Sequence, residues 1–496
     1  MRDVELSGWW WLPDKPARRV PGTLRFTLHE GAALWLIGEL DPPRARDGVV
    51  TFSDSRGPIA WPLVHGIAHG KAVSLLGCLR GATPRDFGLH DVAVRQEVYA
   101  HAVLIGIHVE SPEEAGFDGI NIGMENLLAW TGQSGLGTKI TQQAERITDH
   151  TLSATSLEPL TAELSDCQVG ITFWHRTGFG AMTRESSSME IRERAELTLR
   201  AGEPRSIEEW LQFHKPLQDL LTLATGRATT ITHLRLRPTV FLVEPDTPVG
   251  EEHLDEQASR IPDVELLMKP LVQPDPGAQA LHEHQMLFTL NDVSFEELLP
   301  RWVALHNKFA PVCQLLFGLR YLDPGYVQTK FSIAVTAAEA LHRRLDPPPP
   351  IPSEEFAELR ERLLEVTPKE HRSRIGDMLR HNQPTLKERL VDLVERVGEE
   401  EVERFLPDVP LWAKAVKDTR NRFAHHDPEQ DTREFPAEGV LALAETTAAV
   451  TTLCLLQQLG LQQAVIQRVV ERHAHYRWLA RLARELPDWM ASATRG

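Results

Sequence analysis

The sequence predicts an α+β multidomain protein: an N-terminal antiparallel β-sandwich or barrel followed by an all-α helical bundle. Three observations carry this. Up to about residue 205, short alternating or apolar runs are separated by Gly, Pro and Asp, the texture of an antiparallel β-domain. From Ser294 onward, apolar residues recur at helical spacing in almost every segment. At 496 residues with 42% apolar content, the chain exceeds one ordinary domain and can fill more than one core. The expected divisions are 1–205, β-rich; 206–293, a mixed helix-strand continuation; and 294–496, helical.

Taken in order, the runs 23–28, 34–40, 71–76, 102–109, 168–174 and 189–199 read as strands. Residues 206–223 read as a helix, with Ser206 as N-cap and Glu209 three residues on completing a capping box. Further strands are expected at 229–236, 240–243 and 285–290, with an acidic, Pro-bearing insertion at 244–256. Helices are expected at 294–317, 327–345, 353–366, 369–380, 386–397, 411–425, 439–461 and 463–486. The proline run 346–352 is too stiff for helix or central strand and reads as an extended loop inside the helical region.

Composition narrows the function classes. Four cysteines (Cys78, Cys167, Cys313, Cys454) are scattered with no C-x-x-C spacing, which fits a reducing cytoplasm and neither a zinc site nor a disulfide framework. The first residues lack the apolar core of a signal peptide, and the apolar run 440–461 carries Glu445, Gln457 and Gln458, as a buried bundle helix would. The expectation is a cytoplasmic protein with no membrane partner. A net charge of −17 opposes indiscriminate binding of a polyanion, so any RNA must meet a local basic patch. Two clusters qualify: Lys369, Arg372, Arg374, Arg380, Lys387 and Arg389; and Arg468, Arg472, Arg477, Arg481 and Arg484 on the last helix. Both read equally well as solvated helix faces.

Other constellations read more simply as structure. Gly135-Leu136-Gly137-Thr138-Lys139 lacks phosphate-loop spacing and reads as a turn before a strand. His282 and His284 alternate in a strand-like stretch without a third metal ligand, and His473 with His475 is similar. Trp9, Trp10 and Trp11 can stack on bases but more simply anchor a first strand.

The most informative stretch is Asp418-Thr419-Arg420-Asn421-Arg422-Phe423-Ala424-His425-His426. It sets Arg, an amide and His at the spacing R-N-x-x-x-H near a helix end. A guanidinium can hold a phosphate through paired charged hydrogen bonds, and an imidazole can move the proton of an attacking hydroxyl or leaving oxygen. Cations at a helix C-terminus also complement its dipole, so the same residues have a structural reading. Trp412, Val416, Thr419 and Phe423 form the expected buried stripe, with Arg420 at its edge. Arg420 and His425 lie about 140° apart around an ideal helix. Pro428 biases Asp427 away from helical angles and would loosen that end.

Set between a helical hairpin and a long apolar helix, this motif resembles the HEPN ribonuclease superfamily, and in particular its ApeA-like antiphage branch. Phe331 to His342, with its acidic Glu339, is similar to that branch's first helix; Gly8-Trp9-Trp10-Trp11-Leu12-Pro13 and Val20-Pro21-Gly22-Thr23-Leu24 resemble its N-terminal domain. The resemblance implies a metal-independent endoribonuclease without cofactors, with Arg420, Asn421, His425 and Glu339 catalytic. Glu339 would orient His425 or pair with Arg420, or would be an exposed helix residue. RNA contacts are expected from His426, Arg422, Lys417, Arg477 and Arg481. The implied partners are an RNA substrate, tRNA among the candidates, a second copy of the chain pairing through the HEPN domain, and a phage-derived trigger at the N-terminal domain. The β-domain would sense infection or restrain the nuclease. Two alternatives stay open: a non-catalytic HEPN-like module binding nucleotides or proteins, and a toxin neutralised by a separate antitoxin.

Overall fold

Alternation of inward-facing and outward-facing residues along the strands builds the first half of the molecule. The computed structural model describes residues 2–42, 45–46, 49–50, 59–81, 95–143, 146–179, 184–239, 262–275, 277–322, 325–425 and 436–485. The strands are β1 (Val4–Trp11), β2 (Val20–Thr27), β3 (Gly31–Ile37), β4 (Ala45–Arg46), β5 (Val49–Val50), β6 (Ala60–Ala68), β7 (Lys71–Arg80), β8 (Arg95–Ile105) and β9 (Phe117–Met124). After helix α1 (Leu127–Thr131) come β10 (Leu136–Gln143), β11 (Arg146–Ala154), β12 (Leu160–Glu163), β13 (Gln168–Phe179) and β14 (Met189–Arg205). Helices α2 (Ile207–Leu211) and α3 (His214–Thr225) precede β15 (Ile231–Pro238) and β16 (Val264–Met268).

Every described pairing among these strands is antiparallel. Strands β8-β3-β2-β1-β6-β7 form a ring, because β7 pairs back onto β8 and closes a barrel. Trp10, Leu24, Phe26, Leu34, Val64, Val73, Leu75, Val98 and Val103 fill its interior. Gly66 makes room for the Trp10 indole: a Cβ there would lie 2.3 Å from the ring. The indole N–H of Trp10 donates to the Gly22 carbonyl at 3.1 Å, so a large aromatic is both packed and satisfied. Trp11 is buried edge-on to His65 and His108 with Arg19 over its face, while Trp9 is 52% exposed. Anchoring of the first strand accounts for two of the three tryptophans.

Strand β8 is shared. Its later half pairs with β16, from which the sheet continues through β15, β9, β14 and β13 to β12. Alternation gives this extension one apolar face, with Ile120, Ile122, Leu197, Leu199, Leu234 and Leu236 all buried, and one polar face. The Trp210 indole N–H donates to the Phe117 carbonyl at 2.9 Å and seats α2 against β9.

The helices that follow are α4 (Phe295–Lys308), α5 (Ala310–Tyr321), α6 (Val327–Arg344), α7 (Ser353–Val366), α8 (Arg372–Met378), α9 (Leu386–Val397), α10 (Glu399–Glu403), α11 (Val409–His425), α12 (Ala437–Gln458), α13 (Gln463–Arg472) and α14 (Ala474–Ala483). The chain divides into two compact units: Met1–Thr222 with Thr229–Leu281 and Ser294–Pro300, and Leu223–Ala228 with His282–Val293 and Arg301–Gly496. In the second, α12 packs on α6, α9 and α14. It is long and apolar enough to cross a membrane, yet 94% of its apolar window is buried inside the helical unit.

Several expectations are corrected. Residues 285–290 are not a strand. The His282 N–H donates to the Gln285 side-chain oxygen at 2.9 Å, closing a 3₁₀ turn, and Leu287 then bonds the Ala224 carbonyl. The 294–317 helix is two helices, since Pro311 in the first turn of α5 cannot continue the α4 hydrogen-bond ladder. The 463–486 helix breaks at His473, whose ring Nδ1 accepts from the His475 N–H and caps α14. The 206–223 helix divides into α2 and α3, although the Ser206–Glu209 capping box is present. The 369–380 helix is a 3₁₀ turn, Lys369–His371, followed by α8. The expected strand 240–243 and the acidic insertion 244–256 lie outside the described residues.

Candidate functional site

Helix α11 presents the R-N-x-x-x-H motif, and its packing explains where each residue lies. Asp408 starts the helix, its carboxylate accepting from the Leu411 N–H at 2.8 Å. Trp412, Ala413, Ala415, Val416 and Thr419 are buried. The Trp412 indole N–H donates to the Thr446 hydroxyl of α12 at 3.0 Å. Phe423 meets Phe331 of α6 edge-on, with ring centroids 5.7 Å apart. This inward stripe turns Arg420 and Asn421 to solvent. Arg422 is half-buried, and Lys417 lies beside Asp418 at 3.4 Å.

The helix runs through His425, its last residue. Along the backbone, Asn421 and His425 are one turn apart, whereas Arg420 and His425 are separated by about 140° and a rise of about 7.5 Å. His426, Asp427 and Pro428 lie outside the described residues. Glu339 is half-buried on α6 and faces the charge of Arg389. Among the described residues no ion pair or hydrogen bond links it to Arg420, one of the three placements the sequence left open.

The basic clusters fare unequally. Arg389 is 5% exposed, and its guanidinium donates to the Pro384 carbonyl at 2.9 Å and the Gln383 side chain at 3.1 Å. Burial, then the nearby Arg343, lowers its pKa. Arg372 turns back onto the Glu365 and Thr367 carbonyls. Arg389 is thereby committed inside the fold, while Lys369, Arg372, Arg374, Arg380 and Lys387 of that cluster stand exposed. Arg468 is held by both oxygens of Asp292 at 2.8 and 2.7 Å. Arg477 and Arg481 stand exposed one turn apart on α14. The rings of His282 and His284 stack 5.6 Å apart in their 3₁₀ turn, correcting the strand-like placement.

Two groupings went unseen in the sequence. Glu445, buried on α12, is paired with Lys330 of α6, and His475 of α14 stands 3.7 Å from its other oxygen. Burial pushes the Glu445 carboxyl up, but the Lys330 bond and the Arg320, Lys330 and His475 charges outweigh it and hold it below its ordinary value. Burial, and then Arg320, pulls His475 down to about 4. His473 is neutral with a defined tautomer, because its Nδ1 accepts from the His475 N–H and its Nε2 is left to donate to the Gln285 carbonyl at 3.0 Å. The second grouping is a run of arginines on the polar face of β13, β14, β9 and β15. Its signal was the alternation of Arg192, Arg194, Glu196, Thr198 and Arg200 along one strand.

Comparison with known families agrees with this architecture. A family model described as ApeA N-terminal domain 1 matches residues 5–302, and one described as Apea-like HEPN matches residues 333–465, a span that contains Glu339 and the whole of α11. No curated protein and no solved structure matches the chain. HEPN domains commonly belong to ribonucleases, and the match supports a nuclease or RNA-related role in defence. By the match over more than half of its length, together with the helical domain that follows, the chain belongs to the ApeA-like HEPN proteins.

Proposed function

We propose that the protein is a metal-independent endoribonuclease that acts in antiphage defence by cutting RNA in the infected cell, with tRNA among the candidate substrates. The observation that carries this reading is the R-N-x-x-x-H motif within a matched HEPN domain, with Arg420 and Asn421 exposed at the last turns of α11.

The chemistry uses the substrate's own 2′-hydroxyl. Its oxygen attacks the adjacent phosphorus as the bond from phosphorus to the 5′-oxygen breaks, leaving a 2′,3′-cyclic phosphate and a 5′-hydroxyl. One imidazole takes the 2′ proton and a second protonates the departing oxygen. His425 supplies that imidazole. Arg420 stabilises the charge that builds on the phosphoryl oxygens, and Asn421 holds the histidine or the phosphate. Because one motif brings a single proton-transfer residue, two HEPN domains pair in a homodimer so that both motifs face one cleft. Glu339, Arg422, Lys417, His426, Arg477 and Arg481 are proposed only to assist, the last five by contacting RNA. A phage-derived trigger acts at the N-terminal domain.

The test is cleavage of total RNA by purified protein. His425→Ala and Arg420→Ala should each reduce cleavage at least about 100-fold while circular dichroism stays that of wild type. Wild-type cleavage should persist in excess chelator and yield cyclic phosphate ends. Full activity in both variants, or a requirement for divalent metal, overturns the reading.

A further inference from the structure

A broad cavity of about 1280 Å³ lies over the polar face of β13, β14, β9 and β15. Among the described residues it is lined by six arginines and four carboxylates, a positive balance within a chain of net charge −17. Its floor is rigid. Arg200 lies across Gly119, where a Cβ would meet the guanidinium at 2.6 Å, and donates to the Asn121 side-chain oxygen at 2.8 Å; Asn121 in turn donates to Asp263 at 3.1 Å. Its wall is only partly neutralised: Arg235 lies 3.6 Å from Glu196 and Arg237 3.4 Å from Asp118. Arg176 pairs across the sheet with Arg192, and Arg194 with Trp174. Like charges directly opposite each other on a sheet cost stability, and an anion beside Arg176 would relieve that cost. Arg192 has Glu190 at 2.8 Å, but Arg176 and Arg194 make no ion pair or hydrogen bond among the described residues. Between them stands Trp174, 47% exposed, with Phe179 at 91% where the strand ends.

We propose that this face of the N-terminal unit binds single-stranded nucleic acid. Trp174 and Arg176, two residues apart on one face, are about 6.6 Å apart along the strand, the order of one step in an extended single strand. That places a guanidinium for a phosphate next to a ring for an unpaired base. The carboxylates at the floor offer acceptors for base N–H groups, the imide N–H of thymine among them. A duplex has no free base for Trp174, and the cavity exceeds the roughly 300–1,000 Å³ of a small-molecule pocket. An acidic protein would use the arginines but leave the exposed rings without a role.

The probe is a fluorescein-labelled oligo(dT) 12-mer binding to the full-length protein, read by anisotropy across a salt series. Lacking a 2′-hydroxyl, it reports binding with no contribution from strand cleavage. The double variant Arg176→Ala/Arg194→Ala should weaken binding at least tenfold and reduce the salt slope by about 1.4, two single-strand phosphate contacts. Trp174→Ala should weaken it by about 5- to 150-fold. The sheet variants should weaken binding by the same factor in an Arg420→Ala background, so failure of the cleavage mechanism and failure of this site are separately visible. Absence of binding, or indifference to the sheet variants in either background, overturns the proposal. So does a result in which Trp174→Ala is silent and polyglutamate competes as well as the oligonucleotide, which would mark an acidic protein as the occupant.

Discussion

At the scale of single residues, chemistry that is contiguous in the chain was readable and chemistry assembled over long range was not. Arg420, Asn421 and His425 lie within one helix end, so their grouping is a property of the sequence itself. Glu445 was visible only as a polar interruption in an apolar run, because its partners Lys330, Arg320 and His475 arrive from three other helices. The sequence left the partner of Glu339 open for the converse reason: spacing says nothing about which face of α6 meets α11. The buried pair makes a specific prediction. Lys330→Met leaves the Glu445 carboxylate with only Arg320 and His475, and should cost about 3 kcal/mol, the low end for breaking a buried pair. Adding Glu445→Leu removes the stranded charge as well, and the double variant should return to within about 1 kcal/mol of wild type. Urea unfolding at pH 7 measures both. An unaltered Lys330→Met protein would mean that the carboxylate is satisfied without the lysine.

At the scale of elements, periodicity located most helices and many strands, but it carried no information on where a run breaks or which edges meet. The α13–α14 break occurs at His473, where a side chain caps the next helix while the apolar spacing continues unchanged. Pro311 was the readable signal for the α4–α5 break, since a proline in the first turn begins a helix more easily than it continues one. Barrel closure was not legible, because it rests on the register of β7 against β8 and on where backbones approach closely. Gly66 is one such point. A Cβ there would sit 2.3 Å from the Trp10 ring, and that indole is fully buried and held by its bond to Gly22. Gly66→Ala should therefore cost about 3 kcal/mol, the upper end for an overpacked core, and should make the β-rich unit sensitive to limited proteolysis. A variant as stable and resistant as wild type would show that the ring can slide aside.

At the scale of the whole molecule, the order of a β-rich part before a helical part follows from two local textures, and net charge from counting. How charges distribute does not follow from either, and it decides the response to pH. His65, His214, His342, His473 and His475 all have pKa values below the ordinary histidine value, in each case chiefly because burial disfavours the charged ring. In the unfolded chain these rings titrate near 6.5. Below that pH the unfolded state binds protons that the folded state refuses, so stability is complete above about pH 6.5 and declines as the pH falls. His475, pulled down to about 4, has the widest window: its share is lost progressively from 6.5 to 4. Between pH 7 and pH 5 that one residue should account for about 2 kcal/mol of the loss. His475→Leu removes the titration while keeping an apolar side chain beside Tyr476, so its stability should fall less over that interval, by about the same amount. Urea midpoints at pH 7, 6 and 5, followed by circular dichroism, read the difference. Parallel declines in the variant and the wild type would mean that His475 takes up its proton as readily in the folded protein as in the unfolded chain.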